Sequence, residues 1–327
     1  ALEANQASDL VAVGYYAGLK NTTGTKNTAI GRNSLQENQT GDSNTAVGYN
    51  CLEDNTADNN TAIGQAALTA NTTGTQNVAV GANALDANTT ASNNTAIGHN
   101  ALTANTTGTR VVAVGMNALA SNTTANDNVA IGNNVLDANT TGARNIGVGY
   151  NVLGANTTAN DNTGLGHKAL EANTTGTNNV AVGVNALDGN TTGDHNTALG
   201  AFALGDQTTG DSNTAVGRQA LKFNTTASNN TAVGHHSLQI NTTGISNTSL
   251  GYNSGLSVTT GDNNLLLGVN AGHADSPSGS ISTGDNNICL GDNNITNAFI
   301  KVAFTVTSDQ RDKIEDGVVS HGLDFVN

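Results

Sequence analysis

Hydrophobic residues in this chain come in short pairs, and the pairs recur. Asn27-Thr28-Ala29-Ile30-Gly31 is followed by Asn44-Thr45-Ala46-Val47-Gly48 and then by Asn60-Thr61-Ala62-Ile63-Gly64. The Gly that closes this motif returns 17 times between Gly14 and Gly291, at intervals of 17 residues. Two intervals differ: 16 residues from Gly48 to Gly64, and 23 from Gly268 to Gly291. Each unit holds two apolar patches, Ala-Ile/Val just before the Gly and Ala-Leu shortly after it. Leu fills the second patch at Leu35, Leu52, Leu68, Leu85 and onward to Leu238. An Asn-Thr-Thr-Gly run separates the unit from the next.

No patch reaches three helical turns, and Asn, Thr and Gly are weak helix formers. A sandwich needs strands of about five or six residues and varied turns. Near-identical short units predict an all-β fold instead: a parallel β-solenoid, or β-roll, of about 17 coils. Equal slots then stack about 4.8 Å apart. The pattern expects Leu on Leu and Ile/Val on Ile/Val as two buried aliphatic rows. It also expects Asn amides to hydrogen-bond in ladders, and the Gly to occupy a corner of positive φ or close backbone approach. The stack would run about 80 Å. So thin a coil buries little apolar surface, so further burial between chains is expected. A homotrimer, intertwined or side by side, meets that need.

The chain has 327 residues, and its repeat overrides the two-domain expectation from length. Residues 1–272 read as solenoid repeats. Residues 273–286 read as a protruding loop insertion that contains the only proline, Pro277. Residues 287–299 form a last coil and linker. Residues 300–307 alternate with period two, as in a half-buried connecting strand. Residues 308–327 have a different grammar. Aromatics are 3% and charged residues 11% of the chain, so no large ring-filled core is possible. The net charge of −14 argues against a nucleic-acid partner. No apolar run is long enough for membrane insertion, and residues 1–20 do not read as a secretory signal. Cys51 and Cys289 alone make no disulfide framework.

Candidate chemistry is sparse. His99, His167 and His235 share the slot after the Gly, four coils apart, and cannot meet on one metal within a chain. Asp42, Asp194, Asp211, Asp262, Asp285 and Asp292 follow Gly, but the nonapeptide pattern of calcium rolls is missing. They read as solvated turn caps. The Asn-x-Thr triplets read as turn chemistry rather than glycan sites. No phosphate loop, zinc-protease or hydrolase motif occurs, and neither a cofactor nor a metal is expected. Tyr15, Tyr49, Tyr150, Phe202 and Tyr252 are the aromatics placed to stack on a sugar. Regular Thr ranks also admit an ice-binding face, although adjacent Thr residues point to opposite sides.

Asn77-Val78-Ala79-Val80-Gly81 and Asn128-Val129-Ala130-Ile131-Gly132 resemble the repeat of trimeric autotransporter adhesin heads of the YadA type. The family coil is usually shorter than this one. Thr307-Ser308-Asp309-Gln310-Arg311-Asp312-Lys313, with Gly322-Leu323-Asp324-Phe325, resembles the start of the intramolecular chaperone domain of phage tail spikes and fibres, the S74 peptidase family. A complete domain of that family needs more than the residues after Thr307, so the segment reads as its start. The resemblance implies self-cleavage between Thr307 and Ser308, with Ser308 as nucleophile and Asp309 assisting proton transfer. Ser308-Asp309 also reads as the cap of a helix beginning near Gln310. The resemblances together imply a shaft of a viral, most naturally phage, tail fibre in the virion or outside the cell. Its partners would be its own copies, other tail proteins and a host-surface receptor such as a glycan. The alternative is a trimeric autotransporter-type surface adhesin.

Overall fold

The structure, a computed structural model, describes residues 8–298. It is an all-β parallel solenoid with one three-residue strand per coil in most coils, from β1 (Val11–Val13) to β17 (Ile288–Leu290). Each strand pairs in parallel with the next in sequence, so 17 strands form one continuous sheet. Register keeps to the motif: Thr28 pairs with Thr45, Ala29 with Ala46 and Ile30 with Val47. The solenoid unit ends at Asn293. Residues 294–298 hold no strand.

The interior differs from the expected pair of aliphatic rows. Strand residues alternate faces, and the small Ala points inward while the Ile/Val beside it points out. Ala79, Ala96 and Ala113 are fully buried, whereas Ile97 is 39% and Ile131 41% exposed. Of the two expected rows, only the Leu row lies in the core. Leu and the Ala before it are both buried, from Ala67-Leu68 to Ala220-Leu221. Two consecutive residues can both face inward because each Leu adopts a left-handed backbone, φ 55° at Leu85 and 57° at Leu102. That conformation costs a non-glycine residue roughly 1–2 kcal/mol. Burying a Leu side chain returns about 1.5–3 kcal/mol, so the corner is favourable only with the core filled.

The corner Gly is held as expected. Gly217 has φ 129°, and a Cβ there would stand 2.6 Å from the Gly234 carbonyl oxygen in the next coil. Two Asn ladders run inside the turns. At the first, the Asn145 Oδ1 accepts from the Asn162 backbone N–H at 3.0 Å, and its Nδ2 donates to the Ala159 carbonyl at 2.8 Å. At the second, amide meets amide: Asn88 Nδ2 donates to Asn71 Oδ1 at 2.9 Å, and to the Ala91 carbonyl at 3.1 Å. These buried amides satisfy backbone groups that a thin coil cannot pair within itself.

The irregular coils show how the core stays full. At β9 (Ile146–Tyr150) and β10 (Thr163–His167) the inward Ala is replaced by Gly147 and Gly164. The space goes to Val135 and Val152, which stand where other coils carry Ala. A Cβ on Gly147 would lie 2.5 Å from a Val135 methyl. In the coil of Gly251, Gly255 replaces the Leu, and Leu238 and Leu266, both fully buried, fill the gap. The coil that is one residue short loses an exposed turn residue. Ala57 keeps the acceptor slot that Gly41 and Gly74 hold in neighbouring coils, receiving the Asn55 and Asn44 amides, each at 2.8 Å. The insertion leaves the coil after Gly272 and closes where the Ile281 N–H donates to the Gly272 carbonyl at 3.1 Å. Ile281 packs against the core. Ser282, Asp285 and Asn287 then bond to the preceding coil in the usual positions.

Candidate interaction surfaces

The outward face of the sheet carries two rows of strand side chains. The first is Thr or Val in most coils, as at Thr95, Val112 and Val129; the second is Ile, Val or Leu, as at Ile97, Val114 and Ile131. The aliphatic row is unbroken from Val13 to Leu290, and its Ile and Leu members are 37–55% exposed except Leu267, which is half-buried. β-branched and aliphatic side chains in register give this face a continuous aliphatic row beside a row of mixed Thr and aliphatic residues.

A third row begins just past the corner Gly, on the strand's outward side in β9 and β10, where Ile146, Val148 and Tyr150 share a face. Here the sequence varies. Arg32 lies between two tyrosine rings, 5.7 Å from Tyr15 and 5.9 Å from Tyr49. Tyr150 stacks on His167 at 5.3 Å, and His235 on Tyr252 at 5.6 Å. One coil step is close to an aromatic stacking distance, so neighbouring rings in this slot meet without further design. His99, His167 and His235 therefore sit in one exposed row and do not converge. Phe202 occupies the adjacent slot with a left-handed backbone, φ 59°. Among the described residues, no three His, Cys, Asp or Glu side chains come together as a metal site.

The acidic turn residues cap backbone. Asp194 Oδ1 accepts from the Thr177 N–H at 2.6 Å and Asp211 Oδ1 from the Asp194 N–H at 2.7 Å. Asp42, Asp262 and Asp285 do the same. The Thr25 backbone bond, and then its hydroxyl, hold the Asp42 carboxyl below its ordinary range. Asp292 stands apart, in the slot after Gly291 rather than in a turn. In the Thr-Thr pairs the first hydroxyl donates to the next coil's carbonyl, as Thr123 does to Thr140 at 3.1 Å, and the second faces solvent. Cys51 is enclosed and donates to the Ala62 carbonyl at 3.0 Å; burial pushes its thiol up to about 12. Ser308 and Asp309 lie outside the described residues.

Arg218, Gln219, Lys222 and Phe223 were not singled out by motif reading, and His235-His236 read only as a pair on alternate faces. Their signal in the sequence is departure from the repeat: the coils of Gly217 and Gly234 lose their consensus residues at neighbouring slots. No known protein-family model and no curated protein matches this sequence.

Proposed function

We propose that this chain is the shaft of an extracellular fibre, of the kind viral tails carry, built as a homotrimer that holds attachment regions away from their base. The uninterrupted aliphatic row on a uniform solenoid carries the reading. Such a face about 80 Å long and about 10 Å wide offers about 800 Å² per chain. That is the area each partner gives to a standard stable interface. Around a threefold axis each chain turns this face inward and meets both neighbours with rows of the same pitch, so contacts repeat along the full length. The repeats resembling trimeric adhesin heads and the segment resembling a fibre chaperone support the same assignment. Light scattering after size exclusion tests it. The full chain is expected at three times its 32.8 kDa mass, and Ile97→Lys with Ile131→Lys is expected to give a folded monomer. A wild-type chain that stays monomeric at micromolar concentration overturns the trimer.

A further inference from the structure

The repeat makes most of the surface uniform, and one region breaks that uniformity. Four consecutive coils, those of Gly200, Gly217, Gly234 and Gly251, carry cationic, imidazole and aromatic side chains at neighbouring slots. Arg218 Nη1 donates to His235 Nε2 at 3.1 Å. His235 lies between the His236 ring, 3.7 Å away, and the Tyr252 ring at 5.6 Å. His236 Nε2 donates to Gln219 Oε1 at 2.6 Å, and Gln239 Nε2 reaches the same oxygen at 3.3 Å. The Phe223 N–H donates to the Gln239 carbonyl, which joins this row to a second group. There Lys222 lies 4.4 Å from the Phe223 ring and 5.9 Å from Phe202. Asp206, one coil earlier, borders the patch on the Phe223 side.

The charge is what distinguishes it. The chain has 11 Lys and Arg against 25 Asp and Glu. Lys20, Arg110, Arg144 and Lys168 are each committed to a carboxylate. Among the described residues, Lys26, Arg32, Arg218 and Lys222 have no such ion pair; Arg32 lies between Tyr15 and Tyr49, whereas Arg218 and Lys222 belong to one coil and stand among rings. Two cations without a carboxylate partner thus share one coil of a strongly acidic molecule, framed by amides that can bond hydroxyls and rings that can stack on an apolar face.

We infer that this patch binds a linear polysaccharide bearing carboxylate or sulfate groups. Arg pairs such an anion in bidentate geometry, Lys adds a second point charge, and Tyr252 and Phe223 supply stacking surfaces. The four coils span about 14 Å, room for a few sugar units along the stack. Two cations are too few for nucleic acid, which needs many phosphates neutralised at once. Arg218, His235 and Tyr252 stand in the third row, beside the two aliphatic rows, and the patch continues past the Leu221 corner to Lys222 and Phe223.

The test is calorimetric titration of the full chain at low salt with three probes: oligoguluronate, chondroitin sulfate oligosaccharide and neutral dextran. Binding of a charged probe but not of dextran is expected, and the preferred one tells carboxylate from sulfate. Arg218→Ala with Lys222→Ala, and separately Tyr252→Ala, should each weaken it about tenfold. Arg110→Ala, elsewhere on the solenoid, should leave it unchanged. Equal melting temperatures show that the variants remain folded. Dextran binding as tight as the charged probes, unaltered binding by the double variant, or retention of duplex DNA with no glycan binding would each overturn the proposal.

Discussion

Each buried Asn does the work of a small backbone patch. Asn145 accepts one coil's N–H and donates to another residue's carbonyl, so Asn145→Val removes both partners in a buried setting. Unpaired buried groups cost about 1–3 kcal/mol each, and a melting temperature several degrees lower is expected. Val111 occupies the same slot one ladder step after Asn94, and its own N–H still donates to Asn94 Oδ1 at 3.0 Å. It has no amide to pass on. Val111→Asn should restore the step and stabilise by about 1 kcal/mol, read by chemical denaturation. His236 predicts a pH effect of definite sign. Partial burial first, then His235 and Arg218, hold its pKa below the ordinary imidazole value. The unfolded chain takes up this proton more readily, so the neutral ring's contribution is complete above about pH 6.5 and is lost as pH falls through the lower folded value. Asn253 and Gln219, its uncharged neighbours, do not change sign in that window. The melting temperature of the wild type relative to His236→Gln should fall from about pH 7 to pH 5, while Asp137 and Asp188, whose carboxyls burial raises, act in the opposite sense in both proteins. Asp127 and Asp161, held low by bonds to Arg110 and Arg144, titrate below it.

At the scale of the coil, the rule is constant volume rather than constant sequence. β9 and β10 lack the inward methyl, and Val135 and Val152 supply it from the opposite side. Gly147→Ala alone drives a methyl into Val135 and should destabilise by about 1–3 kcal/mol. Val135→Ala alone leaves a void and should cost about 1 kcal/mol. The double variant recreates the consensus pair and should cost much less than the sum, a coupling that a double-mutant cycle in urea measures. The polar ladders obey a stricter rule, because hydrogen bonds need matched length. Gln207 replaces an Asn, and Val258 another. Asn190 and Asn241 just before them each keep a buried Oδ1 with no hydrogen-bond partner. These two steps are weak points; at the short coil Asn38 Oδ1 accepts from the Gly41 N–H instead of from Asn55. Ser237 and Ser249 show the other solution: both members of an Ala pair changed together, and their hydroxyls bond at 2.9 Å.

For the molecule as a whole, uniformity is both the strength and the hazard. A shift by one coil replaces almost every contact with an equivalent one, so register is weakly specified. The short coil at Ala57, the insertion after Gly272 and the Gly/Val coils are the places where a shifted pairing fails. A C-terminal element that trimerises first would set that register for all three chains. If the segment from Ser308 belongs to such an element, a chain extended through it should assemble and then separate between Thr307 and Ser308. Ser308→Ala should leave it assembled but uncut. Equal cleavage of both on a denaturing gel would remove Ser308 from the mechanism.

The linear order of residues determined the class of fold, the length of the coil, the stacking of equal slots, the corner Gly and the existence of Asn ladders. Each comes from period and composition, because a repeat too short for its own core must stack on its copies. Which apolar patch faces in was decided only in three dimensions. Ala-Ile/Val and Ala-Leu look alike as dipeptides, but the first lies on an extended strand, where neighbours alternate, and the second on a left-handed corner, where both turn inward. That one backbone choice moved the Ile/Val row from the expected core to the surface, where it forms a continuous aliphatic row. The patch around Arg218 likewise needed the fold. Its residues stand apart in the chain, and only the coil pitch, close to a stacking distance, brings them into contact.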